Sequence, residues 1–135
     1  MRQSRFAWFG VVELLLAAAL LAVFGPVVLT TTAVVPLVVV SGILAILAAR
    51  YAVIEVAGVS VTWRSLVGAS YLAFAVMWPL IYGPTVLFGD PVAEDYLMFV
   101  VAVVSAGCFL FFGIDIARGG RHFDVTGDVD RVLSL

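Results

Sequence analysis

Glu13 is the residue whose type and position could carry chemistry, because it is an acid set inside the long apolar run of residues 6–24. If that run crosses a bilayer as a helix, seven residues at 1.5 Å rise put Glu13 roughly 10 Å into the hydrocarbon. A charged acid near mid-membrane costs at least about 2.5–3.5 kcal/mol, so the group is expected to face protein. Gly10 and Ala17 flank it at i−3 and i+4, which gives a small-residue face suited to close packing. Counting inward from each helix end brings Ser41, Ser70 or Tyr71, and Ser105 or Cys108 to the same depth. Two readings follow. In one, Glu13 binds a proton in a transporter or relay. In the other it is a protonated acid bonded to Ser or Tyr, fixing helix register. No second acid, His or Arg accompanies it deep in the apolar runs, which weighs toward the structural reading.

The other candidates are bland. His122 follows Arg121 in a polar tail without ligand-like neighbours and reads as solvated. Asp115 stands i, i+3 to Arg118, an ordinary helix-end pair. Trp8, Trp63 and Trp78 read as an aromatic belt, and Phe109, Phe111 and Phe112 as lipid-facing or core. Cys108 is the only cysteine, which excludes an intrachain disulfide. A Gly-rich phosphate loop, a metal-ligand cluster and a nucleophile–base pair are all missing from the sequence. The chain is therefore expected to be no enzyme, with no cofactor, no metal and no nucleic-acid partner.

The elements that must position Glu13 are membrane helices. Of 135 residues 64% are hydrophobic and 12% charged, with mean hydropathy +1.22, where soluble domains are about half apolar and a quarter charged. A span needs roughly 17–25 apolar residues. Four fit, at about 6–24, 33–49, 65–82 and 96–116. The first exceeds the 7–15 apolar residues of a signal peptide and lacks its small-x-small cleavage site, so it is expected to be retained. Ser4 is a candidate N-cap for it, and Thr30, Thr31 and Thr32 for the second. Pro79 should kink the third helix near its outer end, while Asp90 as N-cap with Pro91 at the first helical position should open the fourth.

Charge orients this bundle. Arg2, Arg5, Arg50, Arg64, Arg118, Arg121 and Arg131 all fall on one side of a four-span arrangement. The positive-inside rule makes that side cytoplasmic, with both termini inside. Residues 51–63 admit a short strand at Val59, Val61 and Trp63, or continuation of the second helix to Gly58 with Trp63 as an interface anchor; the helix is preferred. The acidic tail, 119–135, is expected to be mobile. The expected fold is all-α: a polytopic membrane protein of four helices with a cytoplasmic tail.

The helices also suggest two similar hairpins. Phe24-Gly25-Pro26-Val27-Val28-Leu29 matches Tyr82-Gly83-Pro84-Thr85-Val86-Leu87 at an offset of 83 − 25 = 58, which also pairs Gly10 with Gly68 and Glu13 with Tyr71. In the second helices Ser41 pairs with Ser105 at 105 − 41 = 64. The helix ending in Gly-Pro, the Thr-rich link and Ser41-Gly-Ile-Leu44 resemble small prokaryotic tandem-hairpin membrane proteins of the HdeD-like family, mainly over residues 10–50. That family usually has six spans, so a hairpin is missing. The resemblance implies a stress-related membrane protein without a defined catalytic site. Glu13 is also similar in position to the coupling acid of small multidrug exporters. Their following Gly/Thr-rich stretch is replaced here by Leu14-Leu15-Leu16-Ala17, and the arginine asymmetry is unlike their weak charge bias. The leading expectation is a structural or accessory membrane protein whose partners are the lipid bilayer, further copies of itself or other membrane proteins. A proton-coupled transporter or channel subunit using Glu13 competes with it.

Overall fold

A computed structural model describes residues 1–134. The chain is mostly helical, in the order α1 (Phe6–Phe24), α2 (Val28–Thr31), α3 (Val34–Arg50), β1 (Val53–Val56), β2 (Val59–Thr62), α4 (Trp63–Phe88), α5 (Ala93–Ala117) and β3 (Val132–Ser134), with a 3-10 turn at Gln3–Arg5 leading into α1. Three helices are long and apolar enough to cross a membrane, spanning Gln3–Phe24, Trp63–Phe88 and Ala93–Ala117; α3 is apolar but has 17 residues.

Each helix packs on the next: α1 on α3, α3 on α4, α4 on α5. The buried residues of α1 are Phe6, Gly10, Glu13 and Ala17, spaced 4, 3 and 4 along one narrow face, as small-residue membrane interfaces require. Glycines set the crossings. A Cβ on Gly10 would stand 2.5 Å from the Gly42 carbonyl oxygen and 2.7 Å from the Ile46 side chain. The α4–α5 crossing repeats this, since a Cβ on Gly68 would meet the Ala117 Cβ at 2.9 Å and the Gly113 carbonyl oxygen at 3.1 Å.

Several boundaries differ from expectation. Helix α3 stops at Arg50, and Tyr51 turns extended (φ −129°, ψ 136°). The preferred helix through Gly58 is therefore replaced by a hairpin, with Val53 opposite Thr62 and Val56 opposite Val59. The β-branched residues at Val53, Ile54, Val56, Val59, Val61 and Thr62 favour strand over helix. Ala57 and Gly58, at φ 49° and 83°, make the two-residue turn that suits strand twist. The fold is thus helical with a small sheet rather than all-α.

Strand β3 joins that sheet in parallel to β1, giving the order β2-β1-β3. The tail expected to be mobile is docked: the Gln3 amide donates to the Thr126 carbonyl oxygen at 3.0 Å, and the Ala52 amide to that of Arg131 at 2.7 Å. Trp63, expected as an interface anchor, is 8% exposed and packs with Phe6, Ile54 and Val125 beneath the sheet. Ser4 is not an N-cap, because its amide and hydroxyl both donate to the Asp128 carboxylate.

At the other end, α4 continues through Pro79 and Pro84 to Phe88; membrane helices tolerate proline where neighbouring groups take up the freed carbonyls. Helix α5 opens at Ala93 rather than after Asp90, with the Val92 amide donating to the Asp95 carboxylate at 2.9 Å. Val92 is the N-cap in place of Asp90, and Asp95, at the third helical position, accepts from its amide. Of the three threonines, Thr32 serves α3, its hydroxyl oxygen accepting from the Val34 amide.

Candidate functional site

Three helices bring three polar side chains together between the molecule's two apolar clusters. Glu13 is 3% exposed, Ser41 on α3 0% and Ser70 on α4 1%. The Ser41 hydroxyl lies 2.9 Å from Glu13 Oε1, 3.1 Å from the Ser70 carbonyl oxygen and 3.0 Å from Ser70 Oγ. Gly10 and Gly42, one turn from Glu13 and one residue from Ser41, let α1 and α3 approach closely enough for these bonds.

Ser41 has one proton and three neighbours, so the cluster has two consistent arrangements. With Glu13 ionised, Ser41 donates to Oε1 and accepts from the Ser70 hydroxyl. With Glu13 protonated, the acid donates to Ser41, which turns its own proton to the Ser70 carbonyl oxygen. The two states differ by one proton on Glu13, and once that proton is gained or lost, rotation of two hydroxyls completes the change without moving a helix. Glu13 Oε2 is buried without a hydrogen-bond partner.

Of the expected partners, Ser41 bonds Glu13 directly and Ser70 joins the cluster through Ser41. Tyr71 is half-buried; its ring stacks on Phe9 and Phe109 at 5.7 and 6.2 Å, and its hydroxyl makes no hydrogen bond to Glu13. Ser105 is half-buried on α5 with no bond to the cluster, and Cys108 is exposed. The cluster is sealed. A groove of about 580 Å³ runs between α1, α3 and α4 on the side of Leu20, Val35 and Trp78, and cavities of about 430, 340 and 320 Å³ lie at the sheet end. None of the four is lined by Glu13, Ser41 or Ser70.

A second polar group lies at the end of α5. Asp115 bonds not to Arg118 but to the tail, accepting from the amides of His122 and Phe123, with His122 Nδ1 at 2.9 Å. His122 is exposed, as expected, and also anchors the tail through its amide and ring nitrogen. Gly119 and Gly120, at φ 113° and 72°, reverse the chain so that these groups meet, and they are the one sequence signal that pointed there. Gln3, fully buried, donates through Nε2 to the carbonyl oxygens of Ala48 and Tyr51; nothing about its position just before an apolar run predicts that. The hydroxyl of Ser4, then its amide, hold the Asp128 carboxyl below the usual carboxylate range, against a smaller opposing effect of burial.

Among the described residues no three of His, Cys, Asp and Glu stand together as a metal site. A model of a family described as a family of unknown function, DUF7994, matches residues 1–129. No curated protein and no solved structure matches the chain.

Proposed function

We propose that this chain, which belongs to the family of unknown function DUF7994, is a small four-span membrane protein of structural or accessory type, without catalysis. The observation that carries this reading is the sealing of Glu13. A coupling acid in a transporter must see water from at least one side, whereas Glu13 is 3% exposed and bonded within the bundle. Its work is then to tie α1 to α3 and α4 at one register.

The four-span topology draws support from how the ends are tied. Residues 1–4, 48–56, 63–64 and 122–134 are joined at one end by backbone and side-chain bonds. If α1 crosses the bilayer, α3 must return for Gln3 to reach Ala48, even though α3 is short. At about 1.5 Å per residue, its 17 residues extend about 25 Å, and hydrocarbon about 30 Å thick can thin locally at modest cost. All seven arginines lie in segments at that end, which the positive-inside rule assigns to the cytoplasm with both termini.

The tandem-hairpin, HdeD-like origin belongs to the same proposal. The Gly10–Gly42–Ile46 crossing has its equivalent in Gly68–Gly113–Ala117, with offsets of 68 − 10 = 58 and 113 − 42 = 71. One observation favours a proton-coupled role instead: the unpartnered Oε2 of Glu13. Proton flux in proteoliposomes separates the two. Wild type and Glu13→Gln are expected to leak no faster than empty liposomes. Flux above that baseline in wild type, lost in Glu13→Gln, would replace the accessory reading by the transport one.

A further inference from the structure

We propose that the end of α5 binds the phosphate of an anionic membrane lipid between Arg118 and Arg121. A cavity of about 340 Å³ lies there, lined by Phe111, Ile114, Asp115, Arg118, Arg121 and His122. Phe111 and Ile114 are 49% and 43% exposed, so the cavity opens on the apolar outer face of a helix that touches the rest of the molecule mainly through α4. A lipid lying along α5 would meet this cavity with its headgroup.

The local charge is set by the tail turn. Arg118 ends α5, and the reversal through Gly119 and Gly120 returns Arg121 and His122 to the same opening. Asp115 could have neutralised an arginine, yet its two oxygens are taken by the His122 and Phe123 amides and by His122 Nδ1. Among the described residues the one ion pair is Asp115 with His122, so none of their carboxylates lies within pairing distance of either guanidinium. Two planar guanidiniums that share the opening with one carboxylate, Asp115, itself engaged by His122, suit a phosphodiester, which each can hold by paired N–H bonds. The lipid should carry net negative charge. A phosphatidylcholine brings its own cation to the same place, whereas phosphatidylglycerol does not.

The inference requires α5 to cross the membrane, which carbonate extraction of the same preparation tests separately. It does not depend on what Glu13 does. The full chain, purified in detergent with equimolar phosphatidylglycerol and phosphatidylcholine, is examined by native mass spectrometry. Wild type is expected to retain phosphatidylglycerol preferentially. Arg118→Gln with Arg121→Gln should weaken that retention about 30-fold, the effect of two juxtamembrane arginine contacts of ordinary strength. Arg50→Gln with Arg131→Gln removes the same charge from the same end and should retain the lipid as wild type does. Equal loss in both double variants would reduce the effect to net charge and overturn the site; so would undiminished retention in the first. Both pairs are exposed, and circular dichroism checks that each variant remains helical.

Discussion

Ser41 offers a single proton to a carboxyl on one side and a serine on the other, and this makes it, more than Glu13, the residue on which the buried cluster turns. Replacing it with alanine strands Glu13 Oε1 and removes the only side chain that links α3 to both neighbours through that cluster. A buried group left unsatisfied costs about 1–3 kcal/mol, though hydrogen bonds between membrane helices average nearer 0.6. Ser41→Ala is therefore expected to lose about 1–2 kcal/mol in SDS-titrated unfolding from mixed micelles. Ser105→Ala should lose under about 0.5. Equal losses in the two would mean that the cluster contributes nothing specific. Glu13, Ser41 and Ser70 were legible because an acid inside an apolar run must find partners at its own depth. Ser105 was not a partner for a reason that only packing reveals. On the proposed duplication, the glycine crossings pair the second helices at an offset of 71 rather than 64, which slides α5 by seven residues, about 10.5 Å. By that register the counterpart of Ser41 is 41 + 71 = 112. Phe112 lies with its ring 6.4 Å from that of Tyr71, and an aromatic pair stands where the first hairpin has its acid and serine.

The helices were easy to read and the sheet was not. Long apolar runs have one outcome in a bilayer, because backbone amides there must bond within the helix. Residues 51–63 carry both a helix continuation and a strand alternation, and what decides between them is a partner strand some 75 residues away, β3. The tail likewise reads as polar and loose until its bonds to residues 1–4 are seen. Those bonds make its docking sensitive to acid. Asp128 titrates lower when held by Ser4 than when free. Its contribution is thus complete above the ordinary aspartate range, about pH 4, and declines as pH falls toward and through the lower folded value. The protection factor of the Ser4 amide, its exchange rate relative to the unfolded chain at the same pH, should fall on acidification below about pH 4 in wild type. In Asp128→Asn the protection factor should be lower at neutral pH and flat across that range. An Asp128→Asn protein with wild-type protection and the same acid response would remove the carboxylate from this role.

For the whole molecule, orientation is the quantity most open to direct test. In a Cys108→Ala background, Val92→Cys lies 61% exposed before α5, and Asp130→Cys is exposed in the tail. An impermeant maleimide applied to intact cells is expected to label position 92 and to reach 130 only after lysis. Labelling of both from outside would overturn the four-span orientation. The knot of termini and hairpin at one end also orders events in time. The ribosome delivers β1 and β2 early and β3 last of the strands, after two further long helices have been threaded. Until then the free edge of β1 is an open docking strip, held only by a two-stranded hairpin. Under the proposed four-span topology, parallel pairing closes it once α4 and α5 have together brought the chain back to the side it left. Closure of the sheet is therefore the last strand pairing made as the chain is synthesised, and a chain cut before Val132 would leave that edge of β1 unpaired.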